Sequence, residues 1–166
     1  MKTLLLMRHC EASTGLSARL SDQQLALTLQ GGEDAQRMGD SLLRRGTIPQ
    51  VITCSTALRA ASTATIMARA LGLKHPVTAI AALYAAEPER YLEEVQLLPL
   101  NVEVALVVGH NPAISRLAQL LRREGTAGSQ FIPGGLACLE FANENWLDIR
   151  YHSGNFKWYL TPDSAG

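Results

Sequence analysis

The chain has 166 residues, of which 47% are hydrophobic, and its formal net charge is zero. The hydrophobic content excludes a disordered chain, and the balanced charge excludes a bulk electrostatic attraction to nucleic acid or to an anionic membrane. We expect a single domain over residues 1–166 and a soluble cytoplasmic protein, because no apolar run approaches membrane-spanning length and no secretory signal is visible. The three cysteines lack CxxC spacing, which argues against a zinc site or a disulfide framework and fits a reducing compartment.

An apolar run over residues 3–8 predicts a buried first strand that stops abruptly at Arg8 and His9. Ligands of open α/β sheets bind just past the carboxyl ends of the strands, so these two side chains mark a candidate site. Arginine presents a planar fork of donors that suits phosphate, and histidine serves as a nucleophile or proton carrier near neutral pH. The polar stretch 13–26 that follows is predicted to be a loop that forms one wall of the site.

The middle of the chain predicts two helices around a second strand. Thr28 is a suitable cap for a helix that runs to about Arg45 and stops at Gly46. Residues 51–54 predict a strand that ends at Ser55, and an alanine-rich helix over about 56–71 follows it. A short strand is predicted over 77–80, after Pro76.

The second half predicts a helix from Pro88 to Pro99 and a buried strand over 104–108 that runs into Gly109-His110-Asn111-Pro112. Asn111 is predicted to cap the next helix, which continues to Gly125, and a glycine-rich loop follows to residue 135. Strands over 136–141 and 146–152 are predicted to pair as a hairpin. The alternation of strands and helices favours an α/β three-layer sandwich, with a mostly parallel central sheet and helices on both faces.

Three of the predicted strands end in polar residues that would converge if the strands were parallel neighbours. Arg8, His9, Arg59 and His110 would then line one pocket with two guanidinium groups and two imidazoles, and helix N-termini would add backbone donors. Each residue alone has an ordinary structural explanation, such as a surface arginine or a histidine at a strand end. Their combination favours a site for a dianionic phosphoryl group.

Four motifs in the correct order resemble the histidine phosphatase superfamily, which includes the cofactor-dependent phosphoglycerate mutases. They cover about residues 4 to 115: Met7-Arg8-His9-Cys10-Glu11-Ala12, Leu27-Thr28-Leu29-Gln30-Gly31, Ser55-Thr56-Ala57-Leu58-Arg59-Ala60 with Thr63-Ala64, and Gly109-His110-Asn111-Pro112. Cys10 replaces the usual glycine, and Thr56 replaces the usual proline. The short length and the Gly-His-Asn-Pro form are similar to the small SixA-like branch, the phosphohistidine phosphatases. Residues 133–137 and Trp146 also resemble that branch, but more weakly.

The resemblance implies a phosphoglycerate mutase-like fold and a role for each motif residue. His9 would attack phosphorus and become a phosphohistidine that water hydrolyses, while Arg8, Arg59 and His110 would hold the phosphoryl oxygens. Ser55 and Asn111 are further candidates for substrate binding. No metal and no cofactor are implied, since side chains supply the cations.

The chain departs from the larger family members where they place a glutamate as general acid, in a Leu-x-Glu pattern. Leu83-Tyr84-Ala85 stands there, and Glu87 could substitute or could simply be a carboxylate at a helix start. A site without an acid favours a leaving group that departs neutral, as imidazole does because its pKa lies near ~6.5. We therefore expect phosphohistidine on a protein, such as a phosphotransfer domain, as substrate.

Other functions remain open at the level of sequence. A working acid at Glu87 would favour a phosphatase of small phosphorylated metabolites, and a pocket that has lost turnover would leave a non-catalytic phosphate-binding module. Mutase activity is not expected, because the chain lacks the insertion that grips a bisphosphate cofactor. A dinucleotide-binding protein is excluded, since no G-x-G-x-x-G follows the first strand and no P-loop occurs.

Overall fold

The computed structural model describes residues 1–14, 19–74, 77–124, 128 and 130–165. Within these residues, helices and strands alternate through most of the chain, as the sequence predicts. Their bounds are β1 (Lys2–Arg8), α1 (Leu29–Arg45), β2 (Val51–Ser55), α2 (Leu58–Ala70), β3 (Thr78–Ile80), α3 (Pro88–Gln96), β4 (Val104–Gly109), α4 (Ala113–Leu121), β5 (Leu136–Phe141) and β6 (Asn155–Leu160).

The strands form one mixed sheet in the order β3-β2-β4-β1-β5-β6. The first four in this order are parallel, β5 pairs antiparallel with β1, and β6 pairs antiparallel with β5 at the edge of the sheet. Arg8 of β1 lies opposite Gly109 of β4, and Cys54 of β2 lies opposite Val108. The carboxyl ends of β2, β4 and β1 therefore meet at one edge of the sheet, which confirms the predicted convergence of these three strands.

The two faces of the sheet are covered by different helices. Along β1, Leu4 and Leu6 pack with residues of α3 and α4, whereas Leu5 and Met7 pack with residues of α1 and α2. All four side chains are fully buried. Side chains alternate between the faces of a strand, and burying one such side chain contributes about 1.5–3 kcal/mol, so β1 stabilises both layers. The result is the predicted three-layer α/β sandwich.

Helix α1 begins and ends where its sequence predicts. The hydroxyl of Thr28 accepts the backbone N–H of Gly31 at 3.0 Å, which satisfies one donor of the first turn. Gly46 ends the helix with φ 67°, a left-handed conformation that costs glycine little.

Helix α4 differs from its prediction at both ends. The predicted cap by Asn111 is wrong: Pro112 precedes the helix, makes no side-chain capping bond and follows a cis peptide bond from Asn111. The amide of Asn111 is engaged elsewhere, as described below. The helix ends at Leu121, and the predicted end at Gly125 lies outside the described residues, as does Pro76.

The predicted strand over 146–152 is also wrong. Trp146–Asp148 form a 3₁₀ turn, and Trp146 and Ile149 are buried three residues apart, which is the spacing of such a turn. The indole N–H of Trp146 donates to the carbonyl of Val102 at 2.8 Å. The strand that pairs with β5 is β6, which follows this turn and completes an antiparallel pair with a longer connection than predicted.

Within the described part of the chain, no helix combines the length and the apolar character needed to cross a membrane.

Candidate active site

Four basic side chains meet at the carboxyl edge of the sheet. Arg8 ends β1 and His9 follows it, His110 follows β4, and Arg59 lies in the first turn of α2 after β2. The rings of His9 and His110 lie 5.2 Å apart between centroids, with an interplanar angle of 59°. The structure thus brings together the four residues that the sequence predicts to share a pocket.

His9 is held as a neutral imidazole with a defined tautomer. Its Nδ1 lies 2.8 Å from the carbonyl oxygen of Cys10, and because a carbonyl only accepts, Nδ1 carries the proton. Burial lowers the pKa of His9 to about 4, and the charges of Arg59 and Arg8 act in the same direction, against the bond to Cys10. At neutral pH, Nε2 therefore presents a free lone pair.

A buried hydroxyl ties the histidine segment to the helix that carries Arg59. The backbone N–H of Cys10 donates to Oγ1 of Thr63 at 3.1 Å, and this hydroxyl donates to the backbone carbonyl of Arg59 at 2.8 Å. Thr63 is fully buried, so its role is to fix the distance between two parts of the site. Burial raises the pKa of the Cys10 thiol to about 12, which leaves little reactive thiolate and does not favour a redox role.

The second motif packs against the first. The backbone N–H of Thr28 donates to the carbonyl of Glu11 at 3.0 Å, and its hydroxyl donates to the Glu11 carboxylate at 2.8 Å. A Cβ at Gly31 would lie 2.1 Å from the same Glu11 carbonyl, so only glycine permits this approach. The Leu-Thr-x-x-Gly segment therefore positions the chain immediately after His9.

Arg8 is oriented by a buried polar network around Phe131. The carbonyl of Phe131 accepts Nη1 of Arg8 and Nδ2 of Asn111, both at 2.8 Å. The hydroxyl of Ser115 donates to Oδ1 of Asn111 at 2.5 Å and accepts the N–H of Phe131 at 2.8 Å. The structure thus places the amide of Asn111, a predicted substrate contact, in a network that supports Arg8. Sequence reasoning missed Ser115, although its position four residues after Asn111 was available.

His110 is fixed through its backbone by the buried phenol of Tyr91. This hydroxyl accepts the N–H of His110 at 3.2 Å and donates to the carbonyl of Leu83 at 3.0 Å. A Cβ at Gly109 would lie 2.5 Å from the Tyr91 ring, which explains the glycine before the histidine.

The ring of His110 lies beside the rings of His9 and Tyr84. Both of its nitrogens are buried, and neither is hydrogen-bonded within the described residues. Burial, together with the neighbouring His9 and Arg59, lowers the pKa of His110 to about 4. A neutral imidazole carries one N–H, and a phosphoryl oxygen that reached this buried donor would satisfy it.

Arg59 is already paired with an anion. Its Nη1 donates to the backbone carbonyl of Asp22 at 2.6 Å, and its Nη2 lies 2.9 Å from the Asp22 carboxylate. The hydroxyl of Tyr84 donates to the same carboxylate oxygen at 2.6 Å, and the Tyr84 ring stands edge-on to His110 at 6.0 Å between centroids. Sequence reasoning missed both Asp22 and Tyr84 as members of the site.

Two other candidates lie apart from the four basic groups. Ser55 is fully buried, and its hydroxyl accepts the N–H of Ala57 at 3.2 Å, so it shapes the turn into α2. Glu87 is exposed and immediately precedes α3, where it makes no capping bond. In the described residues no hydrogen bond or ion pair links its carboxylate to the pocket.

A neutral imidazole, two guanidinium groups and a second imidazole meet at one edge of the sheet, an arrangement that suits phosphoryl transfer. The profile of the histidine phosphatase superfamily (branch 1) matches residues 4–84. An uncharacterized protein of Mycobacterium tuberculosis is 33% identical over 153 residues, which is 86% of this chain and 91% of the relative. The chain belongs to the histidine phosphatase superfamily.

Solved structures similar to this chain include proteins of the SixA type. The Nakamurella multipartitia protein assigned as the phosphohistidine phosphatase SixA is 27% identical, with a TM-score of 0.79 over 97% of this chain and 96% of that chain. A protein histidine phosphatase SixA complexed with tungstate has a TM-score of 0.83 over 99% of both chains, at 22% identity. The fold also resembles that of a mycobacterial glucosyl-3-phosphoglycerate phosphatase, with 15% identity, a TM-score of 0.65 and coverage of 94% of this chain and 97% of that chain.

Proposed function

We propose that this protein is a phosphatase that removes the phosphoryl group from phosphohistidine on a protein, through a phosphohistidine intermediate at His9. The observation that carries the proposal is the hydrogen bond from Nδ1 of His9 to the carbonyl of Cys10, which leaves Nε2 unprotonated among the cationic groups of the pocket. Family membership supports phosphatase chemistry, and the similarity to SixA-type proteins supports this substrate class.

The proposed reaction has two transfers at phosphorus. In the first, the Nε2 lone pair of His9 forms a bond to phosphorus while the phosphorus–nitrogen bond of the substrate breaks, and the departing ring, which carries a proton on its other nitrogen, leaves with the electron pair as neutral imidazole. In the second, water attacks the phosphoryl group on His9, which yields orthophosphate and restores the imidazole. Arg8, Arg59 and the N–H of His110 bind the equatorial oxygens, where charge concentrates during transfer.

The leaving group supports phosphohistidine over an alkyl phosphate. Ala85 occupies the place of the family's acid, and the carboxylate of Glu87 is not hydrogen-bonded to the pocket within the described residues. Without an acid, an alkoxide would depart with its full charge, whereas imidazole is a much weaker base and departs readily.

The surroundings of the pocket support a protein substrate. Leu20, Leu58 and Ile132 are 44–50% exposed, and each lies within two residues of Asp22, Arg59 or Phe131 respectively. A contiguous group of exposed apolar side chains is typical of surfaces that bind proteins, and we expect these three to contact the partner. A phosphotransfer domain in the cytoplasm is the partner that we propose for such a surface.

A phosphatase of small phosphorylated metabolites is the second candidate. The fold shared with a glucosyl-3-phosphoglycerate phosphatase favours it, because the same scaffold there serves a small phosphate ester. A non-catalytic binding module has less support, because neutral His9 is poised for attack rather than only for binding an anion.

The test is phosphate release from a phosphohistidine-bearing phosphotransfer protein in EDTA, with wild type compared with His9→Ala. Asp148→Asn, an exposed change near the opposite end of the sheet, serves as the matched control. Release by wild type and by the control, but not by His9→Ala, is the expected result. Release from small esters alone would overturn the protein substrate, and release by His9→Ala would overturn the proposed mechanism.

A further inference from the structure

The Asp22 carboxylate is hydrogen-bonded to the guanidinium of Arg59, which the proposed reaction assigns to a phosphoryl oxygen. It accepts Nη2 of Arg59 at 2.9 Å and the hydroxyl of Tyr84 at 2.6 Å. Both donors reach the same oxygen, Oδ2, so this charged oxygen stands in the place that an oxygen of a bound oxyanion would take beside Nη2 of Arg59. The pocket therefore contains an anion supplied by its own chain.

We propose that Asp22 is an internal competitor for Arg59: its carboxylate and the phosphoryl group occupy the guanidinium in turn, so that Asp22 sets the affinity for substrate and drives the release of orthophosphate. The inference rests on the proposed role of Arg59 in binding phosphoryl oxygens. It adds a residue, absent from the motifs of the sequence, that tunes the affinity of this site for phosphoryl oxygens.

The contact is built so that the side chain alone can move. The Asp22 carboxylate bonds Nη2, whereas Nη1 is held separately by the backbone carbonyl of Asp22 at 2.6 Å. Rotation of the Asp22 side chain would free Nη2 and leave Arg59 anchored through Nη1. The Arg59 side chain is only 12% exposed, while that of Asp22 is 58% exposed, so water can receive the displaced carboxylate.

The short 3₁₀ turn that carries Asp22 is held by its own local bonds. The backbone N–H of Ser21 donates to Oε1 of Gln24 at 3.0 Å, and none of the residues of the turn is buried. The turn thus keeps its shape without the Asp22 carboxylate contact, and release of that contact does not unfold a packed element.

The charge of Asp22 is always available for competition. The hydrogen bond from Tyr84 and the pairing with Arg59 hold the pKa of Asp22 below its usual value, and the same bond raises the pKa of Tyr84. The aspartate is therefore ionised and the phenol protonated at neutral pH. A phosphoryl dianion displaces it because three oxygens engage Arg8, Arg59 and His110 together, whereas the carboxylate engages Arg59 alone among these.

The exposure of the Asp22 carboxylate sets how much its ion pair with Arg59 can change the affinity for orthophosphate. Exposed ion pairs contribute about 0.2–1 kcal/mol, which corresponds to roughly a 1.5- to 5-fold change in an equilibrium constant, and salt weakens them. Asp22 therefore tunes affinity rather than closing the site.

The test is calorimetric titration of the purified protein with orthophosphate, which needs no turnover. Asp22→Asn keeps the shape of the side chain and an acceptor for Tyr84 but removes the charge, and Asp148→Asn is the control for net charge. We expect Asp22→Asn to bind orthophosphate about 2- to 5-fold more tightly at low salt, with a smaller gain at high salt. Tyr84→Phe, which removes one donor to the carboxylate, is expected to change affinity in the same direction by less.

The opposite results are distinct. Unchanged affinity in Asp22→Asn would overturn the competition, and weaker binding would show instead that Asp22 positions Arg59 for the ligand. If neither wild type nor Asp22→Asn binds orthophosphate, the pocket is not an oxyanion site, and the proposed function fails together with the inference. Thermal unfolding of each variant verifies that it is folded.

Discussion

The two halves of the pocket are built differently. Arg8, His9 and His110 stand at strand ends, and bonds to buried backbone or to the buried phenol of Tyr91 fix them. Arg59 belongs to the other half, where its partner Asp22 and Tyr84, which donates to the Asp22 carboxylate, lie on short surface turns. One half therefore holds its shape regardless of ligand, and the other can exchange one anion for another.

This difference separates two tasks of a phosphatase. Arg8, His9 and His110 form what we call the strand-borne half. In the proposed reaction, this half sets the protonation and orientation of the nucleophile, which must be ready before the substrate arrives. Arg59, Asp22 and Tyr84 form what we call the turn-borne half. In the proposed reaction, this half sets the affinity for phosphoryl oxygens, which must be modest enough for orthophosphate to leave. Variants in the two halves are therefore expected to differ in size and in the quantity that they change.

The largest effect is expected for His9→Ala. Removal of the nucleophile should lower kcat at least about a thousandfold, because no other group is oriented to form the covalent intermediate. Binding of orthophosphate, measured by calorimetry, should stay within a few-fold of wild type. Substantial residual turnover would show that water attacks the substrate directly.

Arg8→Lys should lower kcat by about a hundredfold, since a lysine cannot hold the Phe131 carbonyl and a phosphoryl oxygen with one planar fork. Steady-state kinetics on the phosphotransfer protein would measure it. A change in KM alone would place Arg8 in ground-state binding rather than in stabilisation of the transition state.

The two pocket histidines should make the fold sensitive to acid. Their folded-state pKa values of about 4 lie below the ordinary 6.5, so the unfolded chain binds more protons between these values. Stability is complete above pH 6.5 and falls as the pH drops toward 4, by an amount on the order of 2 kcal/mol for each histidine. Urea unfolding across this range should show a shallower loss in His110→Ala than in wild type, and an equal loss would contradict burial of a neutral His110.

The smallest effect in the strand-borne half is expected for Ser115→Ala. The change leaves the N–H of Phe131 and Oδ1 of Asn111 without this partner, at a cost of about 1–3 kcal/mol in the free energy of unfolding. Activity should fall roughly tenfold through the loosened Arg8.

A double-mutant cycle with Asn111→Ala tests this network. Since both side chains act through Phe131, the double variant should lose less activity than the product of the two single effects. Independent effects would show that Asn111 contacts the substrate itself.

Arg8, His9, His110 and Arg59 were predictable from sequence, whereas Asp22 and Tyr84 were not. Short apolar runs that end in Arg8-His9 and Gly109-His110 predict buried strands. The parallel pairing of β1 and β4 brings the ends of these strands together. Asp22 follows no periodic pattern, because the local geometry of its turn sets its contact with Arg59. The interpretations of Asn111 as a cap and of residues 146–152 as a strand were wrong because tertiary contacts, to Phe131 and through the buried Trp146, override local preference.

The phosphorylation state of His9 during turnover tests the proposed covalent mechanism most directly. Wild type would be mixed with a phosphohistidine-bearing phosphotransfer protein, quenched in base on the timescale of one turnover, and its peptides analysed by mass spectrometry. The expected result is a phosphoryl group on the imidazole of His9 that forms and decays within one turnover. Phosphate release without this adduct, or an adduct on His110 instead, would contradict it.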